Sequence, residues 1–323
     1  MHTLISRKKF LAASLLACLA PRGFAQPGYP NKPIRVVLPV APGSTTDAAA
    51  RLICQKISAS LGQPVVIDNR PGASGVIGTS AGLRSAPDGY TLTIVTSTST
   101  VAAVHLVKQM PYALSEMVPI ASFFSLPSVF VVSKSFPATT FKQFLEIAKA
   151  KPGALSMAYS NATAVAAAAS LKQVAGIDFV TVSYKAPQQA VTDVIGGQLP
   201  LMINDIGSVL PHIQSGALRA LAITADKRTA TLPDVPTMSE LLPERLEFYG
   251  WTAFVAPAGT PQAIVTRLSG IINGLLQGEE VTSFLQKMGA DPMVHSPTQL
   301  GEFIKSEEGR WGRAFKAAGV QPE

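Results

Sequence analysis

The sequence predicts an α/β protein of two domains, and three observations predict it. Short β-branched runs alternate with helical periods from Ile34 onward. Two unusually long extended stretches, Val118 to Ser133 and Glu247 to Pro261, interrupt that alternation and read as crossings between domains. The strand–loop–helix unit "LPVAPGSTTDAAARLICQKI", Leu38 to Ile57, concentrates its polar residues where the helix begins.

"IRVVLPV" reads as the first strand. In the helix after it, Ala50, Ile53, Cys54, Ile57 and Leu61 make one apolar stripe at 3–4 spacing, and Gly62 ends it. "VVID" is a second strand, "NRPGASGVIGTSAGLRSAPDG" turns into a second helix, and "YTLTIVT" is a third strand followed by "STSTVAAVHLVK". After the first crossing come helix "TTFKQFLEIAKAKPG", strand "LSMAYS", helix "ATAVAAAASLKQVAG" and strand "DFVTVSYK". Helix "PQQAVTDVIGGQ", strand "LPLMIND", helix "SVLPHIQSG" and strand "LRALAIT" follow, and three helices close the chain. Two crossings make the first domain discontinuous: residues 26–124 and 254–323, with 125–253 inserted. Domains joined in this way can close like a hinge around a ligand.

Residues 1–25 read as an export signal. Arg7, Lys8 and Lys9 precede an apolar core of 11 residues, Phe10 to Ala20, too short to span a bilayer. Small residues at Gly23 and Ala25 place cleavage after Ala25. "SRKKFL" approaches a twin-arginine signal with Lys8 in place of the second arginine, and "LLAC" approaches a lipoprotein box at Cys18; the site after Ala25 is preferred to both. Cleavage removes four basic residues and no acid, so the net charge falls from +7 to +3. Basic residues are spread singly, without the stripe that nucleic-acid binding requires. Cys54 alone remains after cleavage, so no intramolecular disulfide is available, and it reads as a small buried residue. The expected location is the periplasm.

No nucleophile elbow, phosphate loop or dinucleotide fingerprint is present, and "GASG" at Gly72–Gly75 has the wrong spacing for a nucleophile elbow. His105, His212 and His295 are too scattered to suggest a zinc site. No catalytic apparatus and no cofactor are expected. Ser44-Thr45-Thr46-Asp47 fits a capping box, with Ser44 at the N-cap and Asp47 at N3. The same loop, Ala41-Pro42-Gly43 and onward, follows a strand at its carboxyl end, where open α/β sheets bind ligands. Free N–H groups of a first helical turn plus three hydroxyls make a cradle for a carboxylate without Arg or Lys. The second domain repeats the device at "MAYSNATAV": Ser160 or Asn161 caps a helix, and Thr163 adds a hydroxyl. "TSTST", with Thr98 and Ser99, offers hydroxyls after the third strand, read equally as a plain N-cap; Asp205 ends the strand "LPLMIND".

Many motifs in order then carry a resemblance over the whole mature sequence: "YPNKPIRVVLPVAPGSTTDAAAR", "LGQPVVIDNRPGASGVIG", "APDGYTLTI", "VSYKA", "DVIGGQLPLMIND", "LPHIQSGALRALAIT", "LPDVPTMSE" and "FVAPAGTP". The chain resembles the substrate-binding proteins of the tripartite tricarboxylate transporter family, the Bug receptors. The resemblance implies a type II periplasmic-binding-protein fold, a Venus flytrap with two crossing strands. It implies a ligand carboxylate held by the loop Ala41–Asp47 and by a partner loop, here Tyr159–Thr163, partly through water. The implied ligands are dicarboxylates, tricarboxylates, acidic amino acids or aromatic acids, and the implied partner is an integral membrane transporter. Gly43 is followed by Ser44 where the family commonly has adjacent glycines, and the second loop lacks the family's glycine and histidine. Tyr159, by position, narrows the cleft or stacks on an aromatic ligand. Tyr184 and Lys185 end a strand, where a structural role in a hinge reads as well as a contact. A sensory role toward a membrane partner needs the same closure and is the alternative. Nothing in the sequence suggests more than a monomer.

Overall fold

The computed structural model describes residues 28–184, 186–225 and 227–322. The export signal expected over residues 1–25, and Lys185, lie outside the described residues.

The chain forms one sheet bent into two halves. β1 (Ile34–Leu38) lies between β2 (Val65–Asn69) and β3 (Thr91–Thr96), parallel to both. Ile34, Val36, Val37 and Leu38 are all buried, because helices cover both faces of the parallel strands. α1 (Thr45–Leu61) joins β1 to β2, and α2 (Val76–Leu83) joins β2 to β3. The predicted stripe of α1 is buried at every position, and Gly62 adopts the left-handed C-cap at φ +66°. "STSTVAAVHLVK" forms a π-turn (Thr98–Ala102) leading into one helical turn, α3 (Ala103–Leu106). Side-chain bonds to the backbone reshape it: Thr100 Oγ1 donates to the Thr96 carbonyl at 2.7 Å and competes with a regular ladder.

β4 (Met117–Ser133) is the first long stretch, a single strand of 17 residues that serves both halves. Met117–Pro127 pairs antiparallel with β9 (Tyr249–Pro257), the second long stretch, which also pairs with β3. Ser128–Val132 pairs instead with β7 (Leu201–Asp205), and β8 (Leu218–Ile223) pairs over the same segment. Pro127 stands at the handover, where a residue without an N–H leaves no broken ladder.

The second half repeats the first. α4 (Phe141–Ala150) precedes β5 (Ser156–Tyr159), which lies parallel to β7 and to the edge strand β6 (Val180–Ser183). α5 (Ala162–Ala175) follows β5, α6 (Pro187–Ile195) follows β6, and α7 (Ile206–Gln214) follows β7. A short α8 (Met238–Leu241) lies between β8 and β9. α9 (Gln262–Leu276), α10 (Glu279–Lys287), the short β10 (Asp291–Pro292) and α11 (Pro297–Ala317) complete the chain.

One core packs Ile53 and Ile57 of α1 and Leu268 and Ile272 of α9 around Phe123 and Phe254. Another packs Phe130, Phe141 and Phe144 with Leu171 and the α11 side chains Trp311 and Phe315. α11, expected to complete the first domain, also packs across α5 of the other half. No described helix is long and apolar enough to cross a membrane.

Candidate functional site

The carboxyl ends of β1, β3, β5 and β7 converge on one cavity of about 430 Å³ between the two halves of the sheet. Strand order reverses at β1 and at β5, the positions where open α/β sheets leave a crevice. The antiparallel strands β4 and β9 supply the floor through Phe124, Leu126, Trp251 and Thr252.

The loop after β1 is organised from below by Asp47, which is 3% exposed. Ser44 is the N-cap of α1, and its Oγ accepts from the Asp47 amide at 3.2 Å. The Asp47 carboxylate accepts from the Gly43 amide, Arg51 Nε and Asn69 Nδ2, each at 2.9 Å. The reciprocal half of the expected capping box is therefore absent. Asp47 bonds Gly43, one residue before the cap, because Asn69 and Arg51 draw its short side chain away from Ser44. Burial disfavours its charge, but the hydrogen bonds from Arg51, Gly43 and Asn69 outweigh burial and hold the pKa down at about 2. Gly43 takes φ +81°, a conformation glycine adopts without strain.

The first turn of α1 is left open. Among the described residues, neither the Thr45 nor the Thr46 amide has an acceptor. Ala41 and Thr46 line the cavity. Pro42, Gly43 and Thr45 are exposed on the loop, and the Ser44 hydroxyl is occupied as a cap, so the three hydroxyls do not act together.

The loop after β5 is tied to β7. Asn161, not Ser160, is the N-cap of α5: its Oδ1 accepts from the Ala164 amide at 2.8 Å. Ser160 Oγ and Asn161 Nδ2 both donate to Asn204 Oδ1 at 3.2 Å. Asn161 and the nearly buried Thr163 line the cavity. Tyr159 and Ser160 line an adjoining chamber of about 430 Å³, closed by Leu106, Phe315 and Val320, which meets the first at Ser74, Thr98 and Asn161. Ser99 is not brought to the cavity: its hydroxyl bonds the backbone of Thr96, and its carbonyl accepts from the Tyr112 hydroxyl. Thr98 lines both chambers.

Asp205 ends β7 directly opposite Ser128 of β4 and lines the cavity. Ser128 Oγ donates to its carboxyl at 3.3 Å, and Asn161 adds a further hydrogen bond. Burial pushes its pKa up to about 6, against the pull of those two bonds. Tyr184 is elsewhere, donating to Asp193 at 2.7 Å. The sequence reading missed the floor and the loop Pro71–Gly75, of which Ser74 faces both chambers. A signal existed for each: the loop follows β2 at its carboxyl end, and the floor lies in the two long extended stretches. No Lys, Arg or His is among the described residues lining the cavity.

The sequence model for the tripartite tricarboxylate transporter family receptor matches residues 49–320. Protein BugT of Bordetella pertussis is 36% identical over 313 residues, covering 94% of this chain and 95% of its own. A solved structure described as a periplasmic transporter is 37% identical, covers 91% of this chain and 99% of its own, and superposes with a TM-score of 0.75. The R. palustris protein Rpa4515, solved with adipate, is 31% identical, covers 91% and 100%, and has a TM-score of 0.77. The fold is that of a type II periplasmic binding protein. The chain belongs to the tripartite tricarboxylate transporter receptor family.

Proposed function

We propose that this chain is an exported solute receptor that binds a small organic carboxylate in the cavity and delivers it to integral membrane transporter subunits. The open first turn of α1 carries the reading. Two amides without acceptors stand at the positive end of a 17-residue helix, whose Thr46 borders an anion-sized space that no described Lys, Arg or His lines. A relative of the same fold was solved with adipate, a small dicarboxylate. Residues 26–124 with 254–323 and residues 125–253 form the two lobes, hinged where β4 and β9 pass between them. Closure excludes water and strengthens each hydrogen bond to the carboxylate. The role is binding without turnover, in the periplasm, after removal of residues 1–25.

Thr45→Pro tests this directly. Thr45 is the first helical residue, where proline is tolerated, and Ser44 at φ −71° and ψ 161° already has the conformation that a following proline prefers. The substitution deletes one free amide and little else. With adipate and a panel of organic acids as probes, calorimetry is expected to show affinity about tenfold weaker at unchanged melting temperature. Unchanged affinity for an acid that binds the wild type removes the α1 turn from the site.

A further inference from the structure

Asp205 is a cap that does not cap. It occupies the N-cap position of α7, yet its side chain accepts no bond from that helix. The carboxyl turns to Ser128 and Asn161 at the cavity wall instead. It is the one charged side chain among the described residues lining the cavity. No described Lys, Arg or His pairs with it.

A carboxylate enclosed by protein and lacking a counter-charge is unfavourable, and it repels a second anion placed in the same cavity. The first turn of α1 takes one carboxylate; a second carboxylate on the same ligand meets Asp205. A ligand that instead carries a positive nitrogen satisfies both ends. Its carboxylate rests on uncharged amides and its ammonium on Asp205, with Ser128 and Asn161 holding the acceptor in place. Adding the zwitterion then leaves Asp205 paired and brings no net charge into the cavity.

We propose that Asp205 is a specificity-determining residue that selects a monocarboxylate bearing a protonated amine and disfavours the diacid of equal length. This rests on the carboxylate-receptor reading above and narrows its substrate class.

The test pairs each ω-amino acid with the diacid that carries a carboxylate in place of its ammonium: β-alanine with succinate, 4-aminobutanoate with glutarate, 5-aminopentanoate with adipate. Calorimetry at pH 8 on the wild type is expected to show, in at least one pair, the amino acid binding at least tenfold tighter than its diacid. Asp205→Asn is expected to weaken that amino acid by about tenfold or more and to leave the diacid equal or tighter. Ser128→Ala, which leaves the carboxyl present but less firmly held, is expected to weaken the amino acid by a smaller factor. Melting of the unliganded variants verifies folding. A diacid that binds tighter than its amino partner and is weakened by Asp205→Asn overturns the inference while leaving the receptor reading intact. As pH falls toward 5 the amino acid is expected to weaken and the diacid to hold or tighten, since Asp205 gains its proton; an amino acid that keeps its full advantage at pH 5 overturns the inference. No binding by either series, with another acid of the wider panel bound, overturns this inference and leaves the receptor reading standing.

Discussion

Trp251 on β9 and Trp311 on α11 donate their indole N–H groups to the same oxygen of Glu307, at 3.1 and 3.2 Å. Trp251 belongs to the cavity floor, so the floor is pinned to the C-terminal helix. Glu307 is 1% exposed; burial pushes its pKa up, while Arg310 and both indoles favour its charge. Glu307→Ala leaves two indole donors and Arg310 without this acceptor, and should lower unfolding free energy by about 3 kcal/mol, read from urea denaturation. These are the two tryptophans of the chain. The fluorescence change on binding is therefore expected to survive Trp311→Phe and to vanish in Trp251→Phe.

Asp47 shapes the loop without lining the cavity. Asp47→Ala withdraws an acceptor from the Gly43 amide and from Asn69, and should cost about 2 kcal/mol of stability. Ligand affinity should fall as well, because the loop that presents the first turn of α1 loses its anchor. Calorimetry with the best-binding acid checks this; full affinity in a folded Asp47→Ala protein contradicts the anchoring role.

The two acids of the site respond to pH with opposite signs. Asp47 has a depressed pKa, near 2 against 3.8, so its contribution is complete above about 4 and is lost as pH falls toward 2. Asp205 has a raised pKa, about 6 against 3.8, so the folded state holds its proton longer and stability declines as pH rises from 4 through 6. Asp205→Asn should therefore gain melting temperature relative to the wild type between pH 4 and 7. The deficit of Asp47→Asn should shrink below pH 4. Parallel melting curves across pH for either pair contradict these assignments.

Gly78 of α2 lies against the chain that leads into the site. A Cβ there would stand 2.5 Å from the Arg70 carbonyl oxygen and 2.9 Å from Pro39 Cα, both backbone atoms. Neither can yield without moving α2, and Pro39 lines the cavity. Gly78→Ala is expected to destabilise by about 1–3 kcal/mol and to weaken ligand binding, measured by thermal melting and calorimetry. Gly270→Ala, in open space on α9, is the matched control and should stabilise slightly.

Much of the fold was legible because its signals are local. The α1 stripe, its Ser44 cap and its Gly62 stop lie within one helix and follow from periodicity and φ preference. The two long stretches were legible as extended segments, because they interrupt the α/β alternation. The π-turn at Thr98 was not, because Thr100 and Ser99 divert their hydroxyls to the backbone of Thr96. Nor was the cavity floor, since Phe124 and Trp251 meet across more than a hundred residues of chain.

By itself, then, the amino-acid order settled which segments are strands and helices and which loops follow strand ends, since those depend on neighbours three or four positions away. Tertiary structure decided what each polar side chain does once there. Ser44 and Asn161 became caps, Asp47 an anchor beneath its loop, and Asp205 a charge facing the cavity. The reason is that a hydroxyl or carboxyl takes whichever partner packing brings within about 3 Å, and that partner is often remote in sequence.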